Sequence, residues 1–242
     1  MLSLTKKAII KPLTLAKNPL FAMIDTETIY LKKRVYELAV VIFDSVTCDI
    51  VASKKWYIKQ SLESAIYYQL RHNKPPIFWP KRLNPLSLLS ESVEWQEAIN
   101  EFNAMLSKHD VKALIAHNIN FDIGAIYKTD NLYTDNILAF LSKYEKLELS
   151  GYFIHGLPLM TAYNVPYKTK SGCMTFKADY LAPCLLGSTQ NHDALGDCLN
   201  QIAIYKLTKG KYQNQGTIYA NMLAHHALKH DDNKRLGNSS LD

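Results

Sequence analysis

Apolar and polar positions divide the chain into short hydrophobic runs and longer stretches with apolar residues three and four apart. Residues 20–25, 35–44 and 50–58 read as three consecutive strands, the second carrying Glu37 ahead of the run Leu38 to Phe43. Val93, Ala98, Ile99, Phe102, Met105 and Leu106 mark a helical stripe that leads into a fourth apolar run, residues 113–116. Helical spacing returns through Ile123, Ile126 and Tyr127. Residues 151–154 read as a fifth strand, with helical pieces at 157–163 and 178–186. Leu195, Leu199, Ile202, Ala203 and Leu207 mark a further helix. Three strands in sequence, then helix alternating with strand, predict an α/β domain with a central five-stranded mixed sheet flanked by helices.

Two segments interrupt this pattern. Residues 60–92 form an insertion between the third strand and the first helical stripe, stiffened by Pro75, Pro76, Pro80 and Pro85. Within it, Phe78 and Trp79 suit packing onto the sheet, whereas Tyr67, Tyr68, Arg71, Lys81 and Arg82 suit contact with a polyanion. Residues 163–177 form a second loop with Lys168, Lys170 and Lys177, readable as a solvated loop or as a basic flap. The domain is expected over residues 19–209. Residues 1–18 would be an N-terminal extension and residues 210–242 a C-terminal helix and flexible tail.

The chemistry lies where apolar runs break into acids. The first run ends in Asp25-Thr26-Glu27, and alternation along a strand puts Asp25 and Glu27 on one side with Thr26 opposite. By chance such an Asp-x-Glu triplet arises about once in a few hundred residues. The run at 113–116 breaks into His117-Asn118-Ile119-Asn120-Phe121-Asp122, and a third stretch reads His192-Asp193-Ala194-Leu195-Gly196-Asp197. Taken singly, an Asp in the latter two could cap a helix and a His could sit in a loop. Together, Asp25, Glu27, Asp122, Asp197 and His192 are the set needed to hydrolyse a phosphodiester with two oxygen-liganded divalent cations. His192 has a proton-accepting range near neutrality, which suits a general base.

These three stretches, in this order, resemble the 3'-to-5' exonucleases of the DEDDh group, the superfamily holding the proofreading subunit of bacterial replicative polymerase, ribonuclease T and oligoribonuclease. The resemblance runs from about residue 20 to residue 209. It implies a ribonuclease H-like fold and two Mg²⁺ or Mn²⁺ ions. Asp25, Glu27 and Asp197 would bind the metals, Asp122 would complete the second metal's shell through water, and His192 would act as general base. A histidine here, not a tyrosine, assigns this branch over its tyrosine-using sister. A similar insertion with a tryptophan-containing segment occurs in some phage and bacterial members. Candidate substrate contacts are Thr26, Thr28, His117, Asn118 and Phe121 near the acids, and Lys81 and Arg82 in the insertion.

Composition narrows the partners. The formal net charge is +6, despite the acids assigned to the site. The basic residues must therefore lie elsewhere, which suits a nucleic-acid partner. The partner expected is a single-stranded 3' end, DNA ahead of RNA. No apolar run approaches the ~20 residues of a membrane span. Lysines at 6, 7, 11 and 17 and Pro12 interrupt any secretory signal. Cys48, Cys173, Cys184 and Cys198 lie far apart without metal-type pairing, so reduced thiols in a cytoplasmic setting are expected. Cys198, beside Asp197, reads as core. Two readings compete with an active exonuclease: a nuclease-derived module that grips nucleic acid or protein without cutting, and a phosphodiesterase specific for short oligonucleotides.

Overall fold

The computed structural model describes residues 18–29, 34–73, 84–134, 137–150, 178–187 and 193–209. The elements run β1 (Leu20–Ile29), β2 (Arg34–Asp44), β3 (Ile50–Tyr57), α1 (Lys59–His72), α2 (Pro85–Leu89), α3 (Trp95–Lys108), β4 (Ala113–Ala116), α4 (Ile119–Tyr133), a 3₁₀ turn (Leu138–Lys143), β5 (Glu145–Glu148), α5 (Ala178–Leu186) and α6 (Ala194–Lys209). The sheet has five strands in the order β3-β2-β1-β4-β5. β2 is antiparallel to both β1 and β3, while β1, β4 and β5 run parallel, so the sheet is mixed as expected.

The strands at the sheet's centre are covered on both faces, which explains why they read as nearly continuous apolar runs. Alternate residues sort to opposite sides. Phe21, Met23, Ala39, Val41 and Phe43 pack with Leu181 of α5 and Cys198, Ile202 and Tyr205 of α6. Ala22, Ile24, Leu38, Val40 and Ile42 pack with Trp95, Ile99 and Phe102 of α3 and Ile123 and Ile126 of α4. Cys198 is fully buried, its thiol 3.6 Å from the Met23 carbonyl, and is core as expected. Fully buried Trp95 starts α3 and donates its indole N–H to Asp130 of α4 at 2.9 Å, joining the two helices on that face.

Three differences from the sequence expectation have physical causes. β1 continues four residues past its apolar run, because Glu27 pairs with Glu37 of β2 before a register shift at Thr28. The fifth strand is Glu145–Glu148, in register with β4 from Ala113 to Ala116. Its sequence, EKLE, has a single apolar residue, so it carries no strand pattern of its own. The expected strand at 151–154 and helix at 157–163 lie outside the described residues, as do the 163–177 loop and the C-terminal helix and tail. Part of the 60–92 insertion is helical. α1 buries only Ser61, Leu62 and Ala65, a stripe too thin to show as amphipathic periodicity, and ends at Asn73 in the left-handed conformation. α2 opens with Pro85 in its first turn, and the Asn84 side chain accepts from the Leu86 N–H at 3.0 Å.

Candidate active site

Because β1 and β4 are parallel with Met23 opposite Ile115, their carboxyl ends emerge side by side. Asp25 and Glu27 lie just beyond this pairing on β1, and His117 follows β4 directly. Ligand sites of α/β sheets form at this edge. α6 crosses here and brings Asp197, 4% exposed, to the strand ends. One carboxylate oxygen each from Asp25, Glu27 and Asp197 lie within 4.8 Å of one another. The expected alternation along β1 holds: Asp25 and Glu27 share this cluster, and Thr26 faces away toward Asp122.

Asp122 stands in the first turn of α4, outside the cluster of three. Its Oδ1 accepts from the Thr26 hydroxyl at 2.8 Å and from the Thr26 N–H at 3.0 Å. Thr26 is itself buried, so in this arrangement its polar groups orient Asp122.

The electrostatics show what the cluster lacks. Burial, then the charges of Asp122, Glu27 and Asp197, hold the Asp25 carboxyl well above the usual carboxylate range. Burial pushes Asp122 up to about 7, against the two Thr26 hydrogen bonds and with help from buried Glu148. Carboxyls raised by burial and by neighbouring negative charge fit a divalent cation, which would supply the missing positive charge through an all-oxygen donor set. On the chemistry of these donors, Asp25, Glu27 and Asp197 can hold a hard cation, with Asp122 within electrostatic reach of Asp25.

The start of α6 is clamped to the sheet. The Ala194 N–H donates to Glu37 Oε1 at 3.1 Å, and the Gly196 N–H donates to Asp193 Oδ2 at 3.2 Å. Lys55 of β3 pairs with Asp193 at 2.7 Å and with Glu37 at 3.5 Å. Burial pushes the Glu37 carboxyl up to about 8, so it keeps a proton that it donates to Asp193. Burial alone would raise Asp193 too, but the Glu37 proton and the Lys55 ammonium outweigh it and hold Asp193 below its ordinary value. His192 precedes this clamp in the chain and lies outside the described residues, as do Lys81 and Arg82.

Of the other expected contacts, Thr28 is half-buried on β1 and Asn118 is exposed at the start of α4. Phe121, 39% exposed, is a large apolar ring in the first turn of the same helix. His117 is half-buried, its backbone N–H donating to Gln201 Oε1 at 3.1 Å. Gln201 also donates to Asp25 Oδ1 at 3.3 Å, tying α6 to both strand ends. Sequence reasoning missed Gln201, though it lies four residues after Asp197 on a helix and so on the same face. It missed Glu37, Lys55 and Glu148 as well. Glu148 is fully buried, accepts from the Ser150 hydroxyl and raises Asp122, but its strand carried no readable pattern.

No protein-family model and no curated protein sequence matches the chain. Solved structures do. E. coli exonuclease I in complex with a dA16 oligonucleotide aligns over 86% of this chain and 44% of its own at 14% identity and a TM-score of 0.58. The ExoI/SSB-Ct complex aligns over 88% of this chain and 46% of its own, at 15% identity and a TM-score of 0.59. The zinc-bound form of the E. coli ExoI-ssDNA complex aligns over 86% and 43%, at 14% identity and a TM-score of 0.59. The chain thus spans less than half the length of each of these proteins. The sheet order, the helices on both faces and this likeness together establish that the chain has the ribonuclease H-like α/β fold of exonuclease I.

Proposed function

We propose that the chain is a metal-dependent 3'-to-5' exonuclease of the DEDDh type, acting on single-stranded nucleic acid and releasing nucleoside 5'-monophosphates. The observation that carries this is the convergence of Asp25, Glu27 and Asp197 at the carboxyl edge of the sheet, with Asp122 close enough to raise the pKa of Asp25. Structural neighbours that hold oligonucleotides and, in one case, zinc favour a strand of DNA over RNA as substrate and a metal as cofactor.

Two divalent ions bound here, Mg²⁺ or Mn²⁺, would supply Lewis acidity and a water acidic enough to attack at neutral pH. Asp25, Glu27 and Asp197 would hold them, with Gln201 fixing the Asp25 carboxylate. Asp122, oriented by Thr26, would complete the second ion's shell through water. His192 would accept a proton from the attacking water as general base. Phe121 would offer a ring on which the terminal base can stack, with Thr28, His117 and Asn118 as further substrate contacts.

The test is a time course on 5'-labelled single-stranded DNA and RNA with Mg²⁺, Mn²⁺ or EDTA. A ladder shortening one nucleotide at a time from the 3' end, abolished by EDTA, is the expected result. Internal cuts, or no shortening in either metal, would overturn the proposal.

A further inference from the structure

We infer that the cavity between α1, the Ile29–Arg34 end of the β1–β2 hairpin and the end of α4 binds a nucleotide unit, a base together with its phosphate. The inference rests on the nuclease reading only for the source of that unit. The cavity is open to solvent on one side and measures about 630 Å³, within the range of small-ligand sites. Its walls carry Tyr67, Tyr68 and Arg71 of α1, Arg34 at the start of β2 and Tyr133 at the end of α4, with Ile29 and Ala65 as apolar lining.

The α1 residues share a face because positions three and four apart are neighbours on a helix. Tyr67 is 65% exposed, and the Tyr68 ring lies 4.4 Å from the His72 ring. On the opposite wall, Arg34 donates to the Ser64 hydroxyl at 3.0 Å, with its guanidinium 6.0 Å from the Tyr133 ring. The Arg34 Nε is buried and makes no hydrogen bond among the described residues. Neither Arg34 nor Arg71 is in an ion pair there. Two such guanidiniums beside tyrosine rings match a phosphate and a base: the planar fork suits phosphate oxygens, and any base can stack on an aromatic face.

Position links the cavity to the acids. Ile29 lies two residues past Glu27 on β1, about 7 Å along the strand. β3 runs parallel to β1, so α1 leaves the sheet at the edge where the acids sit. A single strand with its end at Asp25, running along β1 toward the hairpin, meets the tyrosines and arginines next. A free nucleoside monophosphate has the same chemistry as one unit of that strand, and both sources are tested.

The experiment uses the full chain in EDTA, so that binding is read without cutting. A labelled ten-residue oligothymidylate is followed by anisotropy and 5'-AMP by calorimetry, for the parent, Tyr67→Phe and Tyr67→Ala/Arg71→Ala. Melting curves confirm that each variant folds. The double variant should bind at least one of the two ligands about tenfold more weakly, and Tyr67→Phe, which keeps the ring, should bind both like the parent. If the strand is the ligand, the slope of log affinity against log salt should also flatten by about 0.7. Loss for the strand alone identifies a unit of the substrate, loss for 5'-AMP alone identifies the free mononucleotide, and loss for both means that the cavity takes either. Affinities within twofold of the parent for both ligands would overturn the inference. A parent that binds the strand through these residues but shortens none of it in metal would defeat the nuclease reading and leave this one standing.

Discussion

Charge repulsion among side chains shapes the site at Asp25 before any cation arrives. Its carboxyl is raised by burial and by three other acids, so Asp25→Asn removes a ligand and a source of repulsion together. The variant should lose more than the ~10–100-fold in activity that loss of an outer-shell partner costs, and should melt higher than the parent in EDTA. His192→Ala should behave differently: turnover falling by ~10²–10⁴, the scale of general-base loss, with Mn²⁺ affinity in calorimetry unchanged. Loss of both metal and turnover would make His192 a ligand. Asp122 supplies a pH test. A carboxyl raised to about 7 keeps a proton that the unfolded chain releases above about pH 4. Its stabilising effect is therefore full below that pH and lost as pH climbs to about 7. The metal-free melting temperature should fall across this interval, and fall less in Asp122→Asn, whose amide oxygen can still accept from Thr26. An identical profile in the variant would mean that Asp122 is not the titrating group. The acids that proved to converge were legible because each ends an apolar run or opens a helix. Gln201 and Glu148 were not, since their roles follow from which elements pack together.

At the scale of elements, the site depends on where α6 begins, and Glu37 and Asp193 fix that point. Glu37→Gln can still donate to Asp193 and accept from the Ala194 N–H, so it should fold with nearly the parent's stability at neutral pH. Glu37→Leu strands the Ala194 N–H and takes a hydrogen bond from Asp193, and should cost about 1–3 kcal/mol in a denaturant titration. The pH dependence separates charge from shape. A carboxyl held up at about 8 stabilises fully below its unfolded value near pH 4 and loses that effect as pH rises through 8. Glu37→Gln should flatten this decline, and a slope equal to the parent's would assign the proton elsewhere. The same clamp shows what the sequence could and could not reveal. β2 was readable from Val35 to Asp44, and β4 and α5 matched their apolar spans. Glu37 looked like a polar residue at a strand's edge, because nothing local says that a helix from 157 residues later will meet it. β5 and α1 were hidden for a related reason: each buries so few apolar side chains that its pattern is supplied by neighbours.

For the whole molecule, the charge balance sets the problem. The net charge is +6 although Asp25, Glu27 and Asp197 gather at one sheet edge, so the surplus of cations lies on other surfaces, which suits a polyanionic partner. Among the described residues, no helix is long and apolar enough to cross a membrane. Several lysines are already engaged: Lys54 with Glu101, Lys59 with Glu94 and Lys112 with Asp110, all exposed pairs of small energetic worth. Lys81 and Arg82, in the insertion outside the described residues, follow the α1 segment whose tyrosines and Arg71 line the cavity. If they lie on the same track, each neutralises one phosphate. Binding of a long single strand should then lose about 0.7 of salt slope per contact, about 1.4 for Lys81→Ala/Arg82→Ala, with weaker affinity at every salt concentration. The measurement is anisotropy in EDTA from low to moderate salt, alongside the cavity variants. Shortfalls in slope that add between the two sets would place both on one path for the strand. A slope equal to the parent's with normal exonuclease activity would remove Lys81 and Arg82 from that path and leave this part of the insertion to packing or to a protein partner.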